Sequence, residues 1–130
     1  MRLRNIVISI PNSLMESCIE RFLKDDRELR IFKEDRPQQA AELCRNINAD
    51  ILLVEIRDTP PNSIDDWIKI CKMQNIERPN YRIACIVDEN TYPESAREVA
   101  LAKSDLLIDA FFYSSSNING EYLTAVISSL

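Results

Sequence analysis

The chain contains no histidine. That removes Ser-His and Cys-His nucleophile pairs and the commonest metal ligand together. It contains one glycine, Gly120, so glycine-rich phosphate loops are excluded. No aspartate or glutamate precedes Glu16, and no lysine or arginine follows Lys103. No apolar run approaches the roughly 20 residues that cross a bilayer. The cysteines Cys18, Cys44, Cys71 and Cys85 are widely spaced, each in an apolar setting, with no Cys-x-x-Cys. This pattern predicts reduced core thiols in a cytoplasmic protein, ahead of disulfides or a zinc site. The net charge of −5 lacks the basic excess expected of direct nucleic-acid contact. Met1-Arg2-Leu3-Arg4 starts basic, but the apolar stretch behind it ends at Pro11-Asn12. It reads as a first strand and not as a signal peptide.

What is present suits one domain spanning residues 1–130, with 45% hydrophobic and 28% charged residues. A chain of this size buries about two thirds of its unfolded surface and needs no staple. Its organising stretch is Asp50-Ile51-Leu52-Leu53-Val54-Glu55. A short apolar run between acids predicts a strand buried on both faces of a parallel sheet. A carboxylate at the C-terminal end of such a strand lies where open α/β sheets hold their ligands. Here that residue is Glu55.

The other elements follow by period. Asn5 to Ile10 is a first strand stopped by Pro11. Ser13 and Glu16 form a capping box for a helix with Met15, Cys18, Ile19 and Phe22 on one stripe. Leu29 to Lys33 is a weaker strand of the kind found at a sheet edge. Asp35 is the expected cap of a second helix, with Pro37 in its first turn and Ala40, Leu43, Cys44 and Ile47 inward. After a polar loop through Pro60-Pro61, Ser63 caps a third helix bearing Ile64, Trp67, Ile68 and Cys71. A loop is expected from Met73 to Asn80, then a strand from Arg82 to Val87. Thr91 and Glu94 give a further box before a helix with Ala96, Val99 and Ala100 inward. A last strand is expected from Leu106 to Tyr113, and a last helix with Leu123, Val126, Ile127 and Leu130 inward. Five strands alternating with five helices predict a doubly wound parallel sheet with helices on both faces.

With Asp-Ile-Leu-Leu-Val-Glu at the third strand and a proline loop behind it, the chain resembles the CheY-like receiver domains of two-component response regulators. The resemblance covers essentially the whole chain and implies the flavodoxin-like strand order 2-1-3-4-5. In the family an aspartate ends strand three and accepts phosphoryl. An acidic pair after strand one holds magnesium, a serine or threonine ends strand four, and a lysine ends strand five. Magnesium needs hard oxygen ligands, and the lysine offsets phosphoryl charge. In this sequence the acceptor position falls on Glu55. The acidic pair falls on Ile10 and Pro11, or Ser9 and Ile10 in the neighbouring register. The hydroxyl position falls on Val87, with Asp88 as the neighbouring choice, and the lysine position on Tyr113 or Ser114. Two of these absences hold in any register, because the first acid is Glu16 and the last base is Lys103.

The resemblance therefore implies a degenerate pseudo-receiver with no catalytic residues, no metal and no cofactor. Glu55 has two readings. It imitates a phosphorylated aspartate, or it is a solvated strand-end acid paired with Arg57 or Lys69; the second is preferred, since the residues that would sense the charge are missing. Asp58 reads as a turn residue before Pro60 more readily than as a stray acceptor. Phe111, Phe112 and Tyr113 form an aromatic cluster at the family's switch position, with Phe112 facing opposite to the other two. They serve as switch and interface residues with Val126, or as core packing. Asp105, Asp109 and Glu121 colour this end acidic.

The expected function is a phosphorylation-independent signalling and interaction domain. It would pair as a homodimer through the face of helix four, strand five and helix five, and regulate a DNA-binding output domain not contained in these residues. It would touch neither nucleic acid nor membrane itself. The alternatives are a phosphate-accepting receiver using Glu55 or Asp58, and a flavodoxin-like small-ligand binder.

Overall fold

In a computed structural model the described residues are 3–74, 80–115 and 119–130. Among them the order is β1 (Arg4–Ser9), α1 (Ser13–Leu23), β2 (Leu29–Lys33), α2 (Pro37–Asn46), β3 (Ile51–Ile56), α3 (Ile64–Gln74), β4 (Arg82–Val87), α4 (Pro93–Ser104), β5 (Ala110–Tyr113) and α5 (Gly120–Ser129). The strands form one parallel sheet in the order β2-β1-β3-β4-β5. This is the doubly wound order that the resemblance to receiver domains implied. No helix among the described residues is long and apolar enough to cross a membrane.

All six residues of β3 are buried, because helices cover both faces of the sheet. Leu52, Val54 and Ile56 pack with Ala40, Cys44, Trp67 and Val99 under α2, α3 and α4. Ile51 and Leu53 pack with Ile19, Leu23, Leu123 and Ile127 under α1 and α5. The two-residue period of a strand thus splits the core into two layers. Edge strand β2 is only partly buried, as its mixed pattern predicted. Gly120 opens α5 where a β-carbon would stand 2.5 Å from Phe22 Cδ1. The chain's one glycine is spent on the close approach of α1 and α5.

Acids seal the N-terminal ends of two strands. Asp50 Oδ2 accepts from the Asn5 N–H at 2.8 Å, and Asp109 Oδ2 from the Ile83 N–H at 2.8 Å. Asp109 also faces Arg82 at 3.4 Å, so it does not belong to an acidic surface as the sequence suggested.

Several boundaries differ from expectation. The cap of α1 is Asn12, not Ser13: its Oδ1 accepts from the Met15 N–H at 3.0 Å. Arg36 and Tyr92 precede α2 and α4 without any side-chain cap, so Asp35 and Thr91 do not cap. Proline at the first helical position already removes one orphan donor there. Thr91 instead donates its hydroxyl to Asp88 at 2.9 Å. Ser63 does cap α3, accepting from the Asp66 N–H and donating to Asp66 Oδ2. α3 runs on through Gln74, past the expected loop start; the remainder of that loop, 75–79, and the Cys71 side chain lie outside the described residues. β5 starts at Ala110, not Leu106, because Leu106 takes a left-handed φ of 61° in closing α4. On α4 the inner face is Ser95, Ala96, Val99 and Ala102, with Ala100 only half-buried.

Candidate functional site

The C-terminal ends of β1, β3, β4 and β5 come together at one end of the sheet, the end where such folds hold their chemistry. Glu55 lies inside β3, opposite Ile86 of β4, and is 5% exposed. It shares the strand face of Ile51 and Leu53, which points it toward α1. Its Oε1 accepts from the Asn12 N–H at 3.1 Å. Its Oε2 accepts from Arg57 Nε at 2.7 Å. Arg57 is two residues on and so faces the same way. Glu55 is therefore not a solvated acid, and its partner is Arg57, not Lys69. Its hydrogen bond raises the Arg57 pKa further, so that cation is fixed.

Asn12 works in two directions. Its N–H holds Glu55, while its side chain starts α1. With its backbone extended at ψ 104°, Asn12 is the non-helical cap and Ser13 is already the first helical residue. That is why the cap sits one residue earlier than the capping-box pattern suggested.

The remaining predicted positions are mostly apolar. Ile10 is fully buried in the α1–α5 layer, and Pro11 is half-buried beside it. Val87 is fully buried in the opposite layer. Asp88 turns into its own loop, accepting from the Asn90 and Thr91 N–H groups. The Thr91 hydroxyl holds its carboxyl below the usual range. The Ser114 N–H donates to the Val87 carbonyl at 2.9 Å, binding the end of β5 to β4. The Ser114 hydroxyl is buried without a partner among the described residues. Asp58 is exposed. A magnesium ion needs several hard oxygens in near-octahedral array. Around Glu55 the chain presents Ile10, Pro11 and a guanidinium, so these residues do not fit one. Among the described residues no three acidic or thiol side chains group to hold a metal.

The aromatic cluster divides as alternation requires. Phe111 packs against the α2–α4 layer with the Tyr113 ring 5.5 Å away. Phe112 is 5% exposed in the other layer, edge-on to Tyr122 at 5.9 Å. As an interface residue it is therefore corrected: its side chain is core. Tyr113 is 47% exposed, and Val126 is half-buried.

Sequence reading missed a second carboxylate cluster. Glu16, in the first turn of α1, meets Asp35, which follows β2. Burial pushes the Glu16 carboxyl up to about 7, and a hydrogen bond to Asp35 and the charges of Asp35 and Glu20 add to the rise. Lys33 opposes it, but Lys33 is also engaged with Glu20 at 3.3 Å. Glu16 Oε2 is buried with no donor facing it, so the protonated carboxyl bonding Asp35 is the better-satisfied form. Nothing in the sequence links residues on separate elements, so no pattern signalled the pair.

This cluster makes stability depend on pH. The folded-state value lies above the ordinary 4.5, so the native state binds the proton more tightly than the unfolded chain. Stability from this group is full below the ordinary value and is lost as pH rises through about 7. Glu16→Gln, which needs no proton, is expected to exceed wild type by about 1–2 kcal/mol at alkaline pH, discounted for partial solvation. The gain should vanish in acid. Urea denaturation of both proteins across this range checks it; a gain independent of pH would remove Glu16 as the titrating group.

No family model and no curated protein matches the chain. Solved structures match nearly all of it. A LuxR-family DNA-binding response regulator from Staphylococcus aureus is 14% identical, covering 98% of each chain with a TM-score of 0.73. A response regulator receiver domain protein from Clostridium thermocellum is 12% identical, covering 98% of this chain and 93% of that one at 0.75. RcsB from Salmonella enterica serovar Typhimurium, solved bound to promoter rprA in the presence of the phosphomimetic BeF3−, is 15% identical over 97% of each chain at 0.73. At these identities the likeness is one of fold: the chain has the fold of response regulator receiver domains.

Proposed function

We propose that this chain is a receiver-like signalling and interaction domain, spanning 1–130, that operates without phosphoryl transfer and regulates a DNA-binding output domain outside these residues. The observation that carries the reading is the caging of Glu55, the residue at the acceptor position by resemblance. Both its oxygens are engaged, one by the Asn12 N–H and one by Arg57. An acceptor carboxylate must reach phosphorus with an oxygen lone pair and have its product charge compensated; Glu55 is 5% exposed and a donor on each oxygen lowers its nucleophilicity. Here Arg57 neutralises the carboxylate in place of a metal, and Val87, Tyr113 and Ser114 supply no hydroxyl-and-lysine pair at the other two strand ends. The cage links the loop after β1 to the loop after β3 and holds them in one state. Such a domain signals by what it touches and not by turnover.

The similar folds support the wider setting. They belong to response regulators, one of them a LuxR-family DNA-binding protein and one held on a promoter. The α4–β5–α5 face, with Tyr113, Tyr122 and the half-buried Val126, is the proposed homodimer surface. The net charge of −5 leaves DNA contact to the output domain, and the cytoplasm is the proposed location.

Incubation with acetyl phosphate and magnesium, followed by intact-mass measurement, tests the central statement. The expected result is no phosphoryl adduct. A stoichiometric adduct mapped to Glu55 or Asp58 would restore the phosphate-accepting alternative.

A further inference from the structure

The groove between α3 and α4 joins an apolar floor to an acidic rim. Its floor is Ile64 and Ala102, both buried, with half-buried Ile68 beside them. Leu101 and Leu107 line it from the α4 side and are 57% and 38% exposed. The cavity is about 300 Å³. Leu106 adjoins it, 67% exposed at a φ of 61°. The Leu106 N–H bonds the Lys103 carbonyl and the Leu107 N–H the Ala102 carbonyl, closing α4 in the left-handed manner that ordinarily takes glycine. Leucine there bears a steric cost and a hydration cost together. Little packing within the folded chain offsets either.

The rim of the groove is acidic. Asp65 comes from α3, and Glu98 and Asp105 from α4 and its end, with no lysine or arginine in the lining. None of the three forms an ion pair with another described residue.

We infer that this groove docks a basic amphipathic helix of a partner polypeptide, its aliphatic side chains entering between Ile68, Leu101 and Leu107 and its lysines or arginines meeting Asp65, Glu98 and Asp105. Two neighbouring helices leave a furrow that a third helix fills ridge into groove. An acidic partner would bring like charges together at the rim. A second copy of this chain has the same defect, since its own α3–α4 face carries the same acids.

The test titrates the isotope-labelled full chain with a synthetic leucine-lysine peptide of amphipathic helical spacing, and with a leucine-glutamate peptide of the same spacing. The lysine peptide is expected to shift the amides of Ile68, Leu101 and Leu107, and the glutamate peptide is expected to leave them in place. Leu101→Ser with Leu107→Ser should weaken binding by about tenfold through lost apolar contact. Glu98→Lys with Asp105→Lys should weaken it by about tenfold through the rim. Circular dichroism verifies that both variants stay folded. Failure of the lysine peptide to bind overturns the inference, as do equal binding of the two peptides or shifts confined to α1 and α5. Sensitivity to charge reversal without sensitivity to the leucine changes would reduce the effect to attraction by an acidic protein, and overturns it too. Self-association abolished by the leucine changes would assign the groove to a second copy instead.

Discussion

Phe112→Asp is expected to abolish the cooperative unfolding transition. Phe112 lies opposite Ile86 in β5, shares a cluster with Leu123 and Ile127, and is 5% exposed. Removing a buried aromatic ring costs about 3–5 kcal/mol through lost burial and the cavity left behind. The new carboxylate would be buried beside Leu123 and Ile127 in the apolar layer, which adds several kcal/mol more. A domain of this size holds only about 5–15 kcal/mol in all. Tyr113→Ser is the contrast. That ring is 47% exposed, and its loss should change stability by about 0.5 kcal/mol. Urea denaturation followed by circular dichroism reads both. A Phe112→Asp protein melting like wild type would place this ring at the surface and undo the assignment of the β5 faces. Tests of the proposed dimer face accordingly belong at Tyr113 and Tyr122, where a change in association is separable from unfolding.

Arg57→Ala is expected to cost about 2 kcal/mol. Breaking a fully buried pair costs more, and the discount reflects an Arg57 side chain that is 32% exposed. The loss comes from Glu55, left nearly dry with only the Asn12 N–H to stabilise its charge. Glu55→Gln keeps an oxygen for Asn12 and strands no buried charge, because Arg57 can turn to water. It should cost about 1 kcal/mol. In the double variant Arg57→Ala should cost about 1 kcal/mol less than it does alone, since the carboxylate it served is gone. Denaturation of the four proteins closes the cycle. Strict additivity would mean that the pair holds nothing together. The same variants separate structure from signalling. If Glu55 serves as a cage and not as an acceptor, output of a parent protein should follow the stability of the variants and not the charge at position 55.

Much of the fold was legible because it depends on period. Strands and helices repeat their apolar residues differently, and β3 and β4 were readable nearly to the residue. Errors clustered where a boundary depends on a partner far along the chain. The start of α1 is set by Glu55 holding the Asn12 N–H. The start of β5 is set by how α4 ends: with Leu106 turned left-handed and Asp109 capping Ile83, ladder pairing begins only at Ala110. Capping boxes failed at α2 and α4 because proline had already eased the need for a side-chain cap.

The sequence by itself determined the α/β alternation, the two-faced burial of β3 and the absence of any acid before Glu16 or base after Lys103. Those follow from residue type and order, which no folding event alters. Tertiary structure decided the rest. It turned Glu55 from a strand-end acid into a caged one, because the donor that completes the cage belongs to a loop 43 residues away. It brought Glu16 against Asp35 across two elements. It buried Phe112 and exposed Tyr113, although alternation assigns only opposite faces. Depth depends on which helix covers each face, and only packing brings that about.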